Sequence, residues 1–349
     1  MSTVLAGLTP SDVRTPRLTA HVVERPGTGD APPVVLVHGN VSSSLFFQPL
    51  MVGLPDGIRA LAVDLRGFGD SETLPVDATR GLRDYSDDVA AVLDTLGTGP
   101  VHLVGWSMGG GVVLQLLLDR PDLVASVTLE SPVSPYGFGG TTADGTMLNG
   151  GAGTGGGGAN PEFVAALQHG DRTDANPTSP RTVYRTAYVK HPERVPNEDL
   201  WVESMLTTAI GEDHYPGDAT VVDAWPGFGP GSRGVLNTMT PDHLDLTGIV
   251  DAPTKPPILW VRGADDVIVS DGSFFDLNLL GSIGAVPGWP GADVAPPQPM
   301  VGQTRAVLER YRAAGGAVTE VLVPDCGHSP HLEAPATFTA ALVAHIGAV

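Results

Sequence analysis

Ser107 stands at the centre of Gly105-Trp106-Ser107-Met108-Gly109, a G-x-S-x-G pentapeptide. The apolar run Val101-His102-Leu103-Val104 leads into it, and a helix-period segment from Gly110 to Leu118 leads out. Strand, sharp turn on a serine, then helix exposes a hydroxyl at the C-terminal edge of a sheet, which is the setting of a nucleophile. The flanking glycines fit because so tight a turn brings neighbouring chain close to the serine. A plain Gly/Ser strand–helix turn would share the pentapeptide, but its flanks favour chemistry. A serine hydroxyl is a weak nucleophile at neutral pH and needs a general base oriented by a third group. Two segments offer these partners. His328 follows the apolar run Ala317 to Val323, within Gly327-His328-Ser329-Pro330-His331-Leu332-Glu333. Asp265 and Asp266 follow the run Pro257 to Val261. Both fall at the C-terminal ends of expected strands, where an open α/β sheet places its ligands. The order Ser, Asp, His along the chain suits a serine turn of this kind.

Such residues need a sheet to hold them. Further apolar runs lie at Val34–Val37, ending in His38-Gly39-Asn40, at Ala60–Val63 and at Val124–Leu129, with a more surface-like strand over Leu18–Glu24. Val89, Val92, Leu93 and Leu96 have helical spacing, and Gly97 ends that helix. Strands alternating with helices predict βαβ units and a mainly parallel, twisted sheet flanked by helices. At Pro132 the rhythm breaks. Residues 133–160 are turn-rich and hold a formal G-x-G-x-x-G at Gly151, Gly153 and Gly156. No apolar strand precedes it, no acidic residue closes a βαβ unit and no Lys follows at phosphate-loop spacing, so it predicts a flexible loop or hinge and no dinucleotide site. Helical segments are expected near 161–170, 180–189 and 198–211, followed by an irregular stretch. The pattern resumes near 257, is interrupted by a long segment over 270–299, and closes with helices at about 301–314 and 335–346. The expected organisation is a core of residues 1–132 and 251–349 with a mostly helical cap inserted at 133–250.

Bulk properties narrow the class. The chain has 349 residues and 42% hydrophobic content, enough for a sizeable core. Cys326 is the only cysteine, so no intramolecular disulfide can form, and a cytoplasmic location is expected. No basic, then apolar, secretory pattern opens the chain, and no uninterrupted apolar run approaches the ~18 residues of a membrane span. Formal charge is −20, with Lys190 and Lys255 the only lysines. That field disfavours nucleic acid and anionic membrane as partners, and its plain reading is solubility; the expected partner is a small-molecule substrate. No pattern in the sequence encodes the oligomeric state.

With these residues in view, the chain resembles the α/β-hydrolase superfamily, specifically its cap-bearing serine hydrolases of esterase or lactonase type. The likeness covers about residues 18–132 and 255–349; the cap matches in position only. In that family the acid sits in a G-x-x-D turn, here Gly263-Ala264-Asp265-Asp266, which implies Asp266 over its neighbour Asp265. Glu130 also ends a strand where some relatives carry the acid; a loop-stabilising role is expected of it. The G-H-S-P-H-x-E segment implies His328 as base over His331. The resemblance places the oxyanion donors at the backbone N–H groups of Met108 and Asn40. It reads Asp64-x-Arg66-Gly67-x-Gly69-x-Ser71 as loop architecture, with Arg66 and a carboxylate forming the floor of the site.

Aromatic residues cluster around these loops: Phe46, Phe47 and Trp106 beside the serine turn, Tyr136, Phe138, Trp225 and Phe228 in the cap, Phe274, Phe275 and Trp289 in the late insertion. Of these, Phe46, Trp106, Tyr136, Phe274 and Trp289 are expected to line an apolar binding cavity. The insertion and the Gly-rich segment are expected to narrow its entrance. The function implied is a cofactor-independent, metal-free serine hydrolase of a carboxylic ester or lactone of a small apolar molecule, acting through an acyl-enzyme. C–C or amide hydrolysis, or acyl transfer, would use the same triad. A slow-turnover small-molecule receptor on the same fold is the alternative of another class.

Overall fold

The computed structural model describes residues 4–349, so residues 1–3 of the expected core segment lie outside the described residues. Eight strands form one sheet: β1 (Thr9–Arg14), β2 (Thr19–Arg25), β3 (Val34–Val37), β4 (Ala60–Val63), β5 (Val101–Trp106), β6 (Val124–Glu130), β7 (Ile258–Gly263) and β8 (Val318–Val323). Their order across the sheet is β1-β2-β4-β3-β5-β6-β7-β8. The pairs β1–β2 and β2–β4 are antiparallel; every pairing from β4 to β8 is parallel. The sheet is therefore mainly parallel, as the alternation predicted. Strands β3, β4 and β5 are buried at every position, which is why β3 and β4 read as unbroken apolar runs and β5 as one broken only by His102. β1 was not legible in the sequence. It is an exposed edge strand containing Pro10, with only Val13 buried, so it lacks the burial pattern that marks its neighbours.

Helices α1 (Arg83–Leu96) and α2 (Met108–Asp119) pack against each other, and α2 packs against β3, β5 and β6. α1 ends where Gly97 takes a left-handed conformation, φ 62°, and its N–H closes on the carbonyls of Asp94 and Leu93. α2 is apolar on all sides and buried through Leu117, the pattern of a helix enclosed by its own protein.

The chain leaves the sheet after β6 and rejoins it at β7. Between them lie helices α3 (Pro161–His169) and α4 (Glu198–Leu206), a short helix Pro180–Val183 running into a π-helical turn Tyr184–Tyr188, and two small two-stranded ribbons. Turns make up the rest. The Gly-rich stretch is packed where a loose hinge was expected. Asn237 Oδ1 accepts the Gly156 N–H at 3.1 Å, and a side chain at Gly156 would meet the Asp218 carbonyl at 2.4 Å. After β7 the long insertion carries one short helix, Leu277–Ser282, before α5 (Met300–Ala313); α6 (Pro335–Ile346) closes the chain. No helix among the described residues is long and apolar enough to cross a membrane.

Candidate active site

Strand order reverses beside β3: the chain runs from β3 outward to β4, then returns to the other side of β3 as β5. Loops leaving the C-terminal ends of β3 and β5 diverge there and open a crevice. The β3 loop carries His38, Gly39 and Asn40; the β5 loop carries Ser107. The serine turn is tight enough to strain its backbone. Ser107 has φ 58° and ψ −121°, a conformation that costs a non-glycine residue about 1–3 kcal/mol. Surrounding bonds hold it: the Ser107 N–H donates to the Glu130 carbonyl at 2.9 Å, and its own carbonyl accepts from Gly110 at 2.9 Å and Val133 at 3.0 Å. The spacing of the pentapeptide follows from contact distances. A Cβ on Gly105 would stand 2.3 Å from the Gly109 carbonyl oxygen, and one on Gly109 would stand 2.2 Å from that of Val37.

His328 is buried in the loop after β8, and its Nδ1 lies 2.8 Å from Asp266 Oδ2. The other Asp266 oxygen accepts the N–H groups of Ile268 at 2.8 Å and Val269 at 3.1 Å. Nδ1 is thus committed to the carboxylate, and the lone pair of the neutral imidazole is left on Nε2. Asp265 turns outward to Lys190 Nζ at 2.9 Å and is exposed. His331, three residues beyond His328, is paired with Glu130 at 2.8 Å and is fully buried. Trp106 separates the two histidines: its ring centroid lies 5.6 Å from His328 and 5.1 Å from His331, and its Nε1 donates to the His328 carbonyl at 3.0 Å.

Ser107, His328, Asn40 and Met108 face one cavity of about 610 Å³. Met108 opens α2, so its N–H has no carbonyl one turn back to bond. Among the described residues the backbone N–H groups of Asn40 and Met108 have no hydrogen-bond partner. These are two free donors next to the serine.

Of the expected pocket residues, Trp106 and Phe274 line the cavity, as do Phe138 and Phe275. Phe46 does not. It is fully buried behind Trp106 and against Trp201, both at 5.1 Å. Tyr136 turns away and its hydroxyl accepts from Arg310 at 3.4 Å. Trp289 lies on the far side of the short insertion helix, with Nε1 donating to the Ala295 carbonyl at 3.0 Å. The Gly-rich stretch forms part of the cavity wall through Gly153, Gly155 and Gly158. Sequence reasoning missed Tyr188, a wall residue from the cap, because nothing in its flanks distinguishes it from a helical packing residue. It also missed Asp276, whose carboxylate sits in the wall. Burial pushes its pKa up, while hydrogen bonds from the backbone of Gln298 and Asn278 pull against that.

The floor is polar and closed. Asp64 accepts from Ser44 N at 2.6 Å and Asp70 N at 3.0 Å and pairs with His21 Nδ1 at 2.8 Å. Burial opposes its ionisation, yet these hydrogen bonds leave its carboxyl below the usual range. His38 is neutral: burial lowers its pKa, and its Nε2 accepts the Leu65 N–H at 3.0 Å. Arg66 grips Asp88 in a two-point contact at 2.6 and 2.8 Å and stands apart from the cavity.

A model of the α/β-hydrolase fold matches residues 32–167. The chain is 38% identical over 111 residues to 2-(acetamidomethylene)succinate hydrolase of Mesorhizobium japonicum, covering 32% of this chain and 38% of the relative. It is 31% identical over 110 residues to carboxylesterase YbfK of Bacillus subtilis, covering 32% and 37%. The chain thus spans less than two-fifths of the length of these curated relatives. Across nearly the whole molecule it superposes on an esterase from Exiguobacterium antarcticum, with a TM-score of 0.59 at 18% identity, covering 97% of this chain and 100% of the other. With its eight-stranded, mainly parallel sheet flanked by helices, the chain has the α/β-hydrolase fold.

Proposed function

We propose that this protein is a cofactor-independent serine hydrolase that cleaves a carboxylic ester or lactone of a small apolar molecule. One observation carries the reading: Ser107 and an Asp266-oriented His328 open onto the same cavity as two unpartnered backbone N–H groups. Ser107 Oγ attacks the acyl carbon as its proton passes to His328 Nε2. The electron pair displaced from the carbonyl forms an oxyanion, which accepts hydrogen bonds from the Asn40 and Met108 N–H groups. Collapse expels the alkoxide, which takes the proton from His328 and leaves an acyl-enzyme. Water attacks that ester with His328 again as base, releasing the acid and restoring Ser107. Asp266 keeps the imidazole in the required tautomer and steadies the imidazolium formed in each half.

The cavity wall supports an uncharged substrate. Among the described residues no Lys or Arg lines it, and most of its side chains are apolar or aromatic. A succinate, such as the relative from Mesorhizobium japonicum is named for, carries two carboxylates, which this wall offers no cation to receive. The test compares wild type with Ser107→Ala on a panel of p-nitrophenyl esters, lactones and anilides, alongside a fluorophosphonate read by intact mass. Multiple turnover of uncharged esters or lactones, with labelling, both absent in Ser107→Ala, is expected. Turnover by Ser107→Ala at the wild-type rate would overturn the acyl-enzyme mechanism.

A further inference from the structure

One short segment of the cap is bonded to several of the loops around the cavity at once. The π-helical turn Tyr184–Tyr188 ends in extended chain, and Tyr188 is buried at that point. Its hydroxyl donates to the carbonyls of Asn40 at 3.0 Å and Val41 at 3.2 Å, one proton shared between two acceptors. Its own carbonyl accepts from Ser329 Oγ at 2.7 Å, and its ring stands edge-on to Trp106 and His328. Immediately after it, the N–H groups of Lys190 and His191 donate to Glu333, and Lys190 Nζ reaches Asp265 and Asp325. Residues 188–191 therefore touch the loops that carry Asn40, Asp266 and His328.

The contact to Asn40 and Val41 falls on a strained turn. Val41 has φ 47°, a region that β-branched residues almost never adopt, because the branched side chain crowds the backbone. The preceding peptide is already held: the Gly39 carbonyl accepts from Ser42 Oγ at 2.8 Å and faces His38 Nδ1 at 2.8 Å. The Asn40 N–H lies in the plane of that same peptide, antiparallel to the carbonyl, so it points the other way. Nothing but the Tyr188 hydroxyl bonds the carbonyls of Asn40 and Val41 among the described residues. Without it, the strained Val41 loses the bond that opposes relaxation to negative φ, and Ser42, whose Oγ holds the Gly39–Asn40 peptide, shifts with it.

We infer that Tyr188 is a positioning residue, whose hydroxyl holds the Asn40–Val41 turn so that the Asn40 N–H stays aimed at the developing oxyanion. The phenol remains a donor at all working pH values, since burial raises its pKa. The inference rests on the acyl-enzyme reading above. It adds that the oxyanion site is completed by the cap and not by the core alone.

The test compares full-length wild type and Tyr188→Phe on p-nitrophenyl butyrate, normalised to active sites by fluorophosphonate titration, with Ser107→Ala normalised to protein concentration. Butylboronic acid serves as a probe, because it forms a tetrahedral adduct on a nucleophilic serine. Losing one oxyanion donor outright costs roughly 100- to 1,000-fold in kcat, and misaiming one costs part of that, so Tyr188→Phe is expected to lose about tenfold. KM should stay nearly unchanged, and boronate affinity should weaken by the same factor as kcat. An unchanged kcat, a loss confined to KM, or a lower kcat with unchanged boronate affinity would each overturn the role of Tyr188. Ser107→Ala separates the two levels: a dead Ser107→Ala beside a wild-type-like Tyr188→Phe sinks only the positioning role. Full turnover in Ser107→Ala sinks the acyl-enzyme reading and the positioning role with it.

Discussion

Two carboxylate–imidazole pairs sit at the same edge of the sheet and differ in almost nothing but their surroundings. In each, histidine Nδ1 lies 2.8 Å from a carboxylate oxygen, and the two histidines, His328 and His331, are three residues apart. Asp266–His328 opens onto the cavity that holds Ser107. Glu130–His331 is sealed behind Trp106 and Phe47, and among the described residues both His331 Nε2 and Glu130 Oε2 lack a partner. The Glu130 oxygen that is bonded also accepts the His331 N–H, so this pair ties the base loop to the end of β6. A carboxylate beside an imidazole therefore does not make a base. In the proposed mechanism, access of Nε2 to a reacting proton does, and Trp106 separates the histidine that faces the cavity from the one that does not.

Four experiments press on that difference. The largest effect belongs to Ser107→Ala, which should lower kcat by about 10⁴- to 10⁶-fold, measured by ester hydrolysis at saturating substrate. Next, His328→Gln should abolish nearly all turnover yet unfold close to the wild-type midpoint. His331→Leu should do the reverse. It leaves the Glu130 carboxylate buried without its partner, at a cost of about 3–5 kcal/mol in urea denaturation, while each folded molecule keeps most of its turnover. If both variants lose activity alike, the distinction between the pairs is wrong. Asp266→Asn should lower kcat by about 10⁴-fold by spoiling the imidazole tautomer. Asp265→Asn, which alters only an exposed contact with Lys190, should leave kcat near wild type; equal losses would show that the carboxylates were misassigned.

The smallest effect concerns a third pair, His21–Asp64, on the floor. Its hydrogen bond to Asp64 holds the His21 pKa above 6.5, against the opposing pull of burial. A raised folded-state pKa contributes stability that is complete below the unfolded value and is lost as pH rises through the folded one. The stability gap between wild type and His21→Gln should therefore be widest below pH 6.5 and narrow above it. A gap that widens with pH would mean that the pair is not stabilised by its proton.

Much of the frame was written in local patterns. Buried parallel strands announce themselves as short apolar runs, and Val34–Val37 and Ala60–Val63 have the extents that their runs predicted. Gly97 and Gly170 stop helices because each takes the left-handed conformation that other residues avoid. The Ser107 turn was legible for a different reason, since only glycine at 105 and 109 is small enough for the contacts it makes. Edge strand β1 was hidden, because an exposed strand leaves no burial signature, and so was the π-helical turn that delivers Tyr188.

What one-dimensional reading could not reach was distance between segments far apart in the chain. It chose Asp266 over Asp265 and His328 over His331 only by family resemblance, and picked five of ten aromatic residues around the loops; packing is what gives the members of each set different surroundings. Asp266 faces inward and Asp265 faces Lys190; Trp106 shields one histidine from the cavity and borders the other; Phe46 lies behind that same ring while Phe274 lies in front. Residue type and local spacing set which chemistry each segment can offer, because backbone conformation and helix or strand burial are short-range. Which of those groups meet is settled by how the cap, the insertion and the loops of β3, β5, β7 and β8 pack together, and that depends on contacts such as the one between Trp106 and His328, 222 residues apart.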